Sequence, residues 1–249
     1  MLSLPQHSHV HLAQAPLGLA AAQVHFEDVG DLVRSDARAV QKALGLEEWP
    51  EVQAHQIITG VFSPTGIGQQ PPRPAWQLKA KDGQRAIALN PDSVAIETSV
   101  YPGWRTYREA FAALLRAVDT VVSPQQSRRL GLRYVNQIEL PDGYEGWDGL
   151  IPSELLGPAV AKGQFAGGVV ATEQRVVLDV AEGIRCLFRH GSFVDPDGRR
   201  LYLLDFDIFR ETPCDFDASA IIQEAETLHE TLYNLFRVTI TDDLFGHLK

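Results

Sequence analysis

Two carboxylates that stand two residues apart are the clearest candidate for chemistry in this sequence. Asp205 and Asp207 alternate with apolar residues, so in a β-strand both side chains project from one face. Paired carboxylates can hold Mg²⁺ or Mn²⁺ for a phosphoesterase or nuclease, and Asp179 on a nearby predicted strand is a candidate third ligand. Arg185 and Arg189, on a neighbouring predicted strand, support another interpretation. Opposite charges across strands form an ordinary salt-bridge ladder, and we favour that interpretation.

A second candidate is the predicted strand Gly131–Ile138, which carries polar side chains on both faces. Tyr134 and Asn136 lie on its apolar face, where burying an unpaired amide costs about 1–3 kcal/mol. Asn136 therefore either makes a core hydrogen bond that fixes the strand register or lines a pocket between sheet and helix. Arg133, on the opposite face, is either an ion-pair partner or an anion-binding residue. Trp104, at the start of a predicted helix, either covers the core or lines a concave binding surface.

Histidines alternate along the first residues of the chain, at His7, His9 and His11. Three imidazoles can bind Zn²⁺ or Ni²⁺, but a short flexible tail lacks the supporting groups that hold a physiological ligand set. We therefore expect adventitious metal binding or none. The histidines later in the chain, His229 among them, show no motif spacing.

Composition excludes several classes of function. The chain has 249 residues and a formal charge of −10, whereas nucleic-acid binding usually leaves a basic footprint. No apolar run approaches the length of a transmembrane helix, and the two cysteines fit no zinc-ligand pattern. We expect a cytoplasmic protein that binds neither membrane nor, as its main partner, nucleic acid. It is expected to need no cofactor unless Asp205 and Asp207 hold Mg²⁺ or Mn²⁺.

The elements that must position these residues predict an α+β fold. The order strand, helix, four strands, helix occurs twice, which predicts an internal duplication. We expect an irregular tail over residues 1–15, a first β-α-β4-α unit over 16–124 and a second over 125–249, in one pseudo-symmetric body. Each unit would form a curved antiparallel sheet that wraps its long helix. This order resembles that of TATA-binding-protein-like and helix-grip folds, an analogy of topology that implies no function.

Four local predictions accompany this fold. Asp31 is predicted to cap the first helix, and the Pro- and Gly-rich stretch Ser63–Pro74 is predicted to be a long loop. Phe165–Thr172 is predicted to be a strand. Thr241 is predicted to cap a last helical turn over Asp242–Leu248.

Several motifs resemble those of a sporadically distributed bacterial protein family of unknown function, along nearly the whole chain. The most specific of them is the Gly-Leu-Arg-Tyr-x-Asn strand that begins at Gly131. The others are an opening Pro-Leu strand (Pro16-Leu17), a Tyr-x-x-Trp step into a helix (Tyr101 to Trp104), a Leu-Asp-x-Asp strand (Leu204 to Asp207) and a closing Phe-x-x-x-Ile-Thr-Asp (Phe236 to Asp242). The resemblance implies a prokaryotic, non-membrane protein and carries over no activity. The patchy distribution of the family suggests a role in defence-related or mobile gene clusters.

These observations favour a non-enzymatic binding or interaction protein with a groove or pocket on a curved sheet. A protein partner is the expected ligand, and Arg133, Tyr134, Asn136 and Trp104 are the candidate binding residues. Two alternatives stay open: a divalent-metal phosphoesterase or nuclease that uses Asp205 and Asp207, and a small-molecule carrier whose ligand lies between sheet and helix.

Overall fold

The computed structural model describes residues 2–57, 60–63, 66–69, 72–157 and 168–249, and it confirms an α+β fold. One large ten-stranded antiparallel sheet packs against helices. The strands are β1 (Leu17–Phe26), β2 (Glu51–Ile57), β3 (Gly60–Ser63), β4 (Gly66–Gln69), β5 (Arg73–Lys79), β6 (Arg85–Asn90), β7 (Ser93–Thr98), β8 (Gln126–Glu139), β9 (Gln174–Ala181), β10 (Ile184–Val194), β11 (Arg200–Arg210) and β12 (Cys214–Asp215). The helices are α1 (Arg34–Leu44), α2 (Trp104–Val121), α3 (Ser153–Leu156), α4 (Ala218–Val238) and α5 (Asp242–Leu248).

The strands of the large sheet follow the order β2-β5-β6-β7-β1-β8-β11-β10-β9, and β12 pairs with β8. β3 and β4 form a separate two-stranded sheet. The chain divides into two compact units, one made of residues 1–20, 131–210 and 225–249 and the other of residues 21–130 and 211–224. In the described part of the chain, no helix is long and apolar enough to cross a membrane.

In the unit that contains most of β8, alternation along the strands separates a closed face from an open one. Leu132, Tyr134 and Ile138 are buried, whereas Arg133 and Gln137 between them keep contact with solvent. Apolar residues of β10, β11 and the C-terminal part of α4 complete the buried side; they are Cys186, Phe188, Leu204, Phe206, Ile208, Leu228, Leu232 and Leu235. This two-residue period leaves the outward positions of four neighbouring strands for polar side chains.

In the other unit, the apolar stripe of α2 forms the core, as the helical spacing predicts. Tyr107, Phe111 and Leu114 are almost completely buried. The hydroxyl group of Tyr107 donates to the backbone oxygen of Ile96 over 2.8 Å, so the ring is buried with its polar end satisfied.

The local predictions have mixed outcomes. Thr241 caps α5, because its side chain accepts a hydrogen bond from the Leu244 amide. The Asp31 prediction is wrong, since α1 begins after Val33 and the carboxylate of Asp36 accepts from the Val33 amide. Asp31 instead forms an ion pair with Arg73.

Two further stretches also differ from prediction. The predicted loop Ser63–Pro74 contains β4 and the start of β5, because β3 supplies β4 with a hydrogen-bonding partner. For Phe165–Thr172, residues 165–167 lie outside the described part of the chain, and residues 168–172 form no strand.

The predicted duplication is not shown by the structure. Six strands lie between α1 and α2, whereas four lie between α3 and α4 in the described residues. The division at residues 124 and 125 stays a prediction.

Candidate functional site

A row of arginines crosses the open face of β8, β11, β10 and β9. In the strand register Asp205 on β11 lies opposite Arg189 on β10, and Arg189 lies opposite Arg175 on β9. Arg133 on β8 reaches the same carboxylate with two parallel hydrogen bonds, from Nε to Oδ1 over 2.8 Å and from Nη2 to Oδ2 over 2.9 Å. We call these four residues, Arg133, Asp205, Arg189 and Arg175, the arginine row.

The centre of the arginine row is a buried carboxylate between two partly exposed cations. The Asp205 side chain is 4% exposed, while those of Arg133 and Arg189 are 41% and 32% exposed. Arg189 Nε lies 3.0 Å from Asp205 Oδ2, so both carboxylate oxygens face guanidinium groups. The hydrogen bond with Asp205 raises the pKa of Arg133.

One carboxylate cannot neutralise three guanidinium groups, so the arginine row carries a formal charge of +2 (three arginines less one aspartate). Asp207, two residues further along the same face of β11, lowers this local charge to +1. In a chain whose total charge is −10, these five residues thus carry a local excess of positive formal charge.

The proposed metal ligands are not assembled as a group. In the described ranges, no cluster of three ligands within metal-binding distance includes Asp179, Asp205 or Asp207. Asp179 is exposed and lies 3.5 Å from Arg185. Because guanidinium groups engage both oxygens of Asp205, this carboxylate acts as an ion-pair partner in the structure, and the geometry does not support a metal shared with Asp207.

Asn136 and Tyr134 make hydrogen bonds on the closed face of the same strand. Asn136 Nδ2 donates to the backbone oxygen of Leu204 on β11 over 3.2 Å. A side-chain bond to the neighbouring strand is what the register-fixing interpretation of Asn136 requires. The Tyr134 hydroxyl group lies 3.0 Å from His229 Nδ1.

Trp104 is the first residue of α2, in the unit made of residues 21–130 and 211–224. Its ring is half-buried and lies at a tilted angle to the Tyr107 ring, with 6.4 Å between the centroids. The four residues of the arginine row all belong to the other unit.

His229 is a candidate functional residue that no sequence motif indicates. It is buried on α4, and burial lowers the pKa of His229 to about 3, with a smaller contribution from the nearby His9. His9 Nε2 lies 2.9 Å from Glu230 Oε2, and the His9 ring stacks on His229. The sequence signal was available: His229 follows Ala225 by four residues, on the apolar stripe of its helix.

Two other buried groups are held in structural roles. His190 Nδ1 lies 3.0 Å from the Tyr202 hydroxyl group, and burial lowers the pKa of His190. Burial raises the pKa of the Cys186 thiol to about 12, so this cysteine stays protonated near neutral pH and is no nucleophile.

A concave region lies beside the arginine row. Its volume is about 320 Å³. Its lining includes Gly191 on β10 and Leu203 on β11, which lie opposite each other. Each is two residues along its strand from Arg189 or Asp205. Phe193 and Ala171 add apolar surface. This volume is at the lower end of the range for small-ligand pockets.

No known family model matches the chain, and no curated protein matches it.

Proposed function

We propose that the chain is a non-enzymatic binding protein whose binding site is the open sheet face around the arginine row. The observation that carries this proposal is the excess of guanidinium groups around one buried carboxylate. Asp205 holds Arg133 by two hydrogen bonds and pairs with Arg189 by charge, and the exposed sides of both arginines offer donors to an anionic group of a partner. The arrangement costs little reorganisation on binding, because the side chains are positioned in advance.

The open face favours a protein partner with carboxylates on its surface. Around the arginine row, exposed apolar side chains such as Val177, which is 59% exposed, add contact area next to the charges. Arginine is enriched in protein interfaces and is common among the residues that contribute most to binding. The resemblance to the bacterial family supports a prokaryotic setting for this interaction, with a defence or mobile-element association.

The second candidate is a small-molecule carrier. The concave region of about 320 Å³ beside the arginine row favours it, since a ligand with an anionic head and an apolar tail would contact both. In this version the ligand lies on the sheet face, not between sheet and helix. The phosphoesterase alternative has less support, because the ion pairs of Asp205 engage the proposed metal ligand.

Melting-temperature shifts test the proposal with three probes: a short Glu-rich peptide, octanoate and inorganic phosphate. A ligand at 100 times its Kd stabilises the folded state by roughly 2.7 kcal/mol, which is easily measured. Stabilisation by the peptide supports the interaction protein, and stabilisation by octanoate supports the carrier.

A charge-reversal variant at the end of the arginine row tests whether the melting-temperature shift comes from binding at this face. Arg175→Glu should reduce the stabilisation by the active probe, because it reverses one charge without removing a partner of Asp205. Arg105→Glu is the matched control, since Arg105 lies on α2 with its side chain 91% exposed. Equal losses in the two variants, or no shift with any probe, would refute the proposal.

A further inference from the structure

The N-terminal tail is docked along one side of α4, although residues 2–15 contain no helix or strand. The amide of His7 donates to Asn234 Oδ1 over 2.9 Å. The hydroxyl group of Tyr233 donates to the backbone oxygen of Ser8 and accepts from the amide of Val10. The tail thus runs antiparallel to the helix, and long-range hydrogen bonds hold it there.

This docking brings three metal-binding side chains together. One ligand atom from each of His9, His229 and Glu230 lies within 4.8 Å of the others. Ligand atoms about 2.0–2.1 Å from a tetrahedral zinc ion lie roughly 3.3–3.5 Å from one another. Shifts of up to about 1.5 Å in total, shared by the half-exposed His9 and Glu230 side chains, complete this geometry. Two imidazoles and a carboxylate are donors that suit Zn²⁺.

The cluster also has the supporting contacts that a flexible tail alone would lack. The Tyr134 hydroxyl group lies 3.0 Å from His229 Nδ1. When Nδ1–H donates to this oxygen, Nε2 carries the lone pair and is the nitrogen available to a metal. The Tyr233 ring stacks on His9 with 4.0 Å between centroids and fixes the orientation of that imidazole.

We propose that His9, His229 and Glu230 bind one Zn²⁺ ion, which fastens the N-terminal tail to α4. The His9 and Glu230 side chains are 43% and 47% exposed, so solvent reaches the site and a water molecule can supply the fourth ligand. This site is independent of the arginine row. It differs from the adventitious binding expected of a histidine-rich tail, because two of its ligands come from α4.

The test measures Zn²⁺ binding to the full-length protein by isothermal titration calorimetry, with Mg²⁺ as the comparison ion. We expect one Zn²⁺ per chain and no comparable binding of Mg²⁺. His9→Ala and Glu230→Gln should each weaken binding strongly, and His11→Ala, a change at an exposed histidine of the same tail, should not. His9 and Glu230 are half-exposed, so these variants are expected to fold even where one at buried His229 does not.

A variant that removes no ligand separates this site from simple chelation by the tail. Tyr134→Phe should weaken Zn²⁺ binding roughly 10- to 100-fold, the usual effect of removing a contact that orients a ligand. Zn²⁺ should also slow hydrogen exchange at the amides of His7 and Val10. The proposal is overturned if His11→Ala weakens binding as much as His9→Ala, or if Tyr134→Phe has no effect.

Discussion

Arg133 and Tyr134 are adjacent on β8 and belong to two polar clusters on opposite faces of the strand. Arg133 points to the open face and forms a charged cluster with Asp205, in which partly exposed cations cover a buried anion. Tyr134 points to the closed face and bonds to the buried imidazole of His229. The two central groups, Asp205 and His229, are about equally buried, so the difference lies in their partners. A buried group keeps its charge where opposite charges lie against it, as at Asp205, whereas burial beside a hydroxyl group favours the neutral form of His229.

The largest expected effect comes from removing the anion of the open-face cluster. Asp205→Ala leaves Arg133 and Arg189 facing each other without a counter-charge. We expect the free energy of unfolding to fall by about 3 kcal/mol, at the lower end of the cost of breaking a buried ion pair, because both arginines still contact water. Urea denaturation measures the change.

The control for this prediction is Asp179→Ala, which breaks the exposed pair with Arg185. Exposed pairs contribute about 0–1 kcal/mol, so this variant should be close to the unmodified protein. Similar losses in the two variants would mean that the burial of Asp205 has no special energetic role.

The closed-face cluster predicts a pH dependence that the arginines cannot produce. The pKa of His229 is lowered to about 3, whereas an unfolded histidine titrates near 6.5. As the pH falls below about 6.5, the unfolded chain takes up the proton first, so the contribution of His229 to stability is complete above pH 6.5 and is lost toward pH 3. Between pH 6.5 and 4.5 the loss is about 2–3 kcal/mol, at roughly 1.4 kcal/mol per pH unit.

Urea denaturation without metal, at several pH values, checks this slope. His229→Gln should flatten it, although buried His190 still contributes a part, because burial lowers the pKa of His190 too. His55→Gln, on exposed β2, is the matched control. An unchanged slope in His229→Gln would contradict the assignment of the pH dependence to the closed face.

The smallest expected effect comes from removing the hydrogen bond between Tyr134 and His229. Tyr134→Phe removes one buried hydroxyl group and leaves the ring in place, so it should cost about 1 kcal/mol of unfolding free energy. Thermal unfolding without metal measures this. A loss as large as that of Asp205→Ala would mean that the two clusters do not differ in the way proposed here.

Elements with a strong local pattern could be predicted from the sequence. α5 has the predicted bounds, Asp242–Leu248, because a threonine cap is a local signal. The pairing of β3 with β4 could not be predicted from the proline- and glycine-rich composition, since its stabilising hydrogen bonds are made between strands.

The candidate sites, too, could be predicted from the sequence only in part. Asp205 and Arg133 were both singled out, and Arg189 was expected on a strand beside Asp205. The pair between Arg133 and Asp205, however, joins residues 72 positions apart and has no local signal. The pair between His9 and Glu230 joins residues 221 positions apart, and the tail histidines alone suggested only adventitious binding.

By itself, the sequence determined which side chains share a face, because the periods of strand and helix are local properties of the backbone. It therefore placed Arg133 and Tyr134 on opposite sides of one strand. Only the tertiary structure decided which distant groups meet on each side. Strand order and the docking of the tail depend on the burial of the whole apolar surface. The strand order determines whether Asp205 faces a metal or a guanidinium group. The docking of the tail determines whether His229 has His9 as its neighbour.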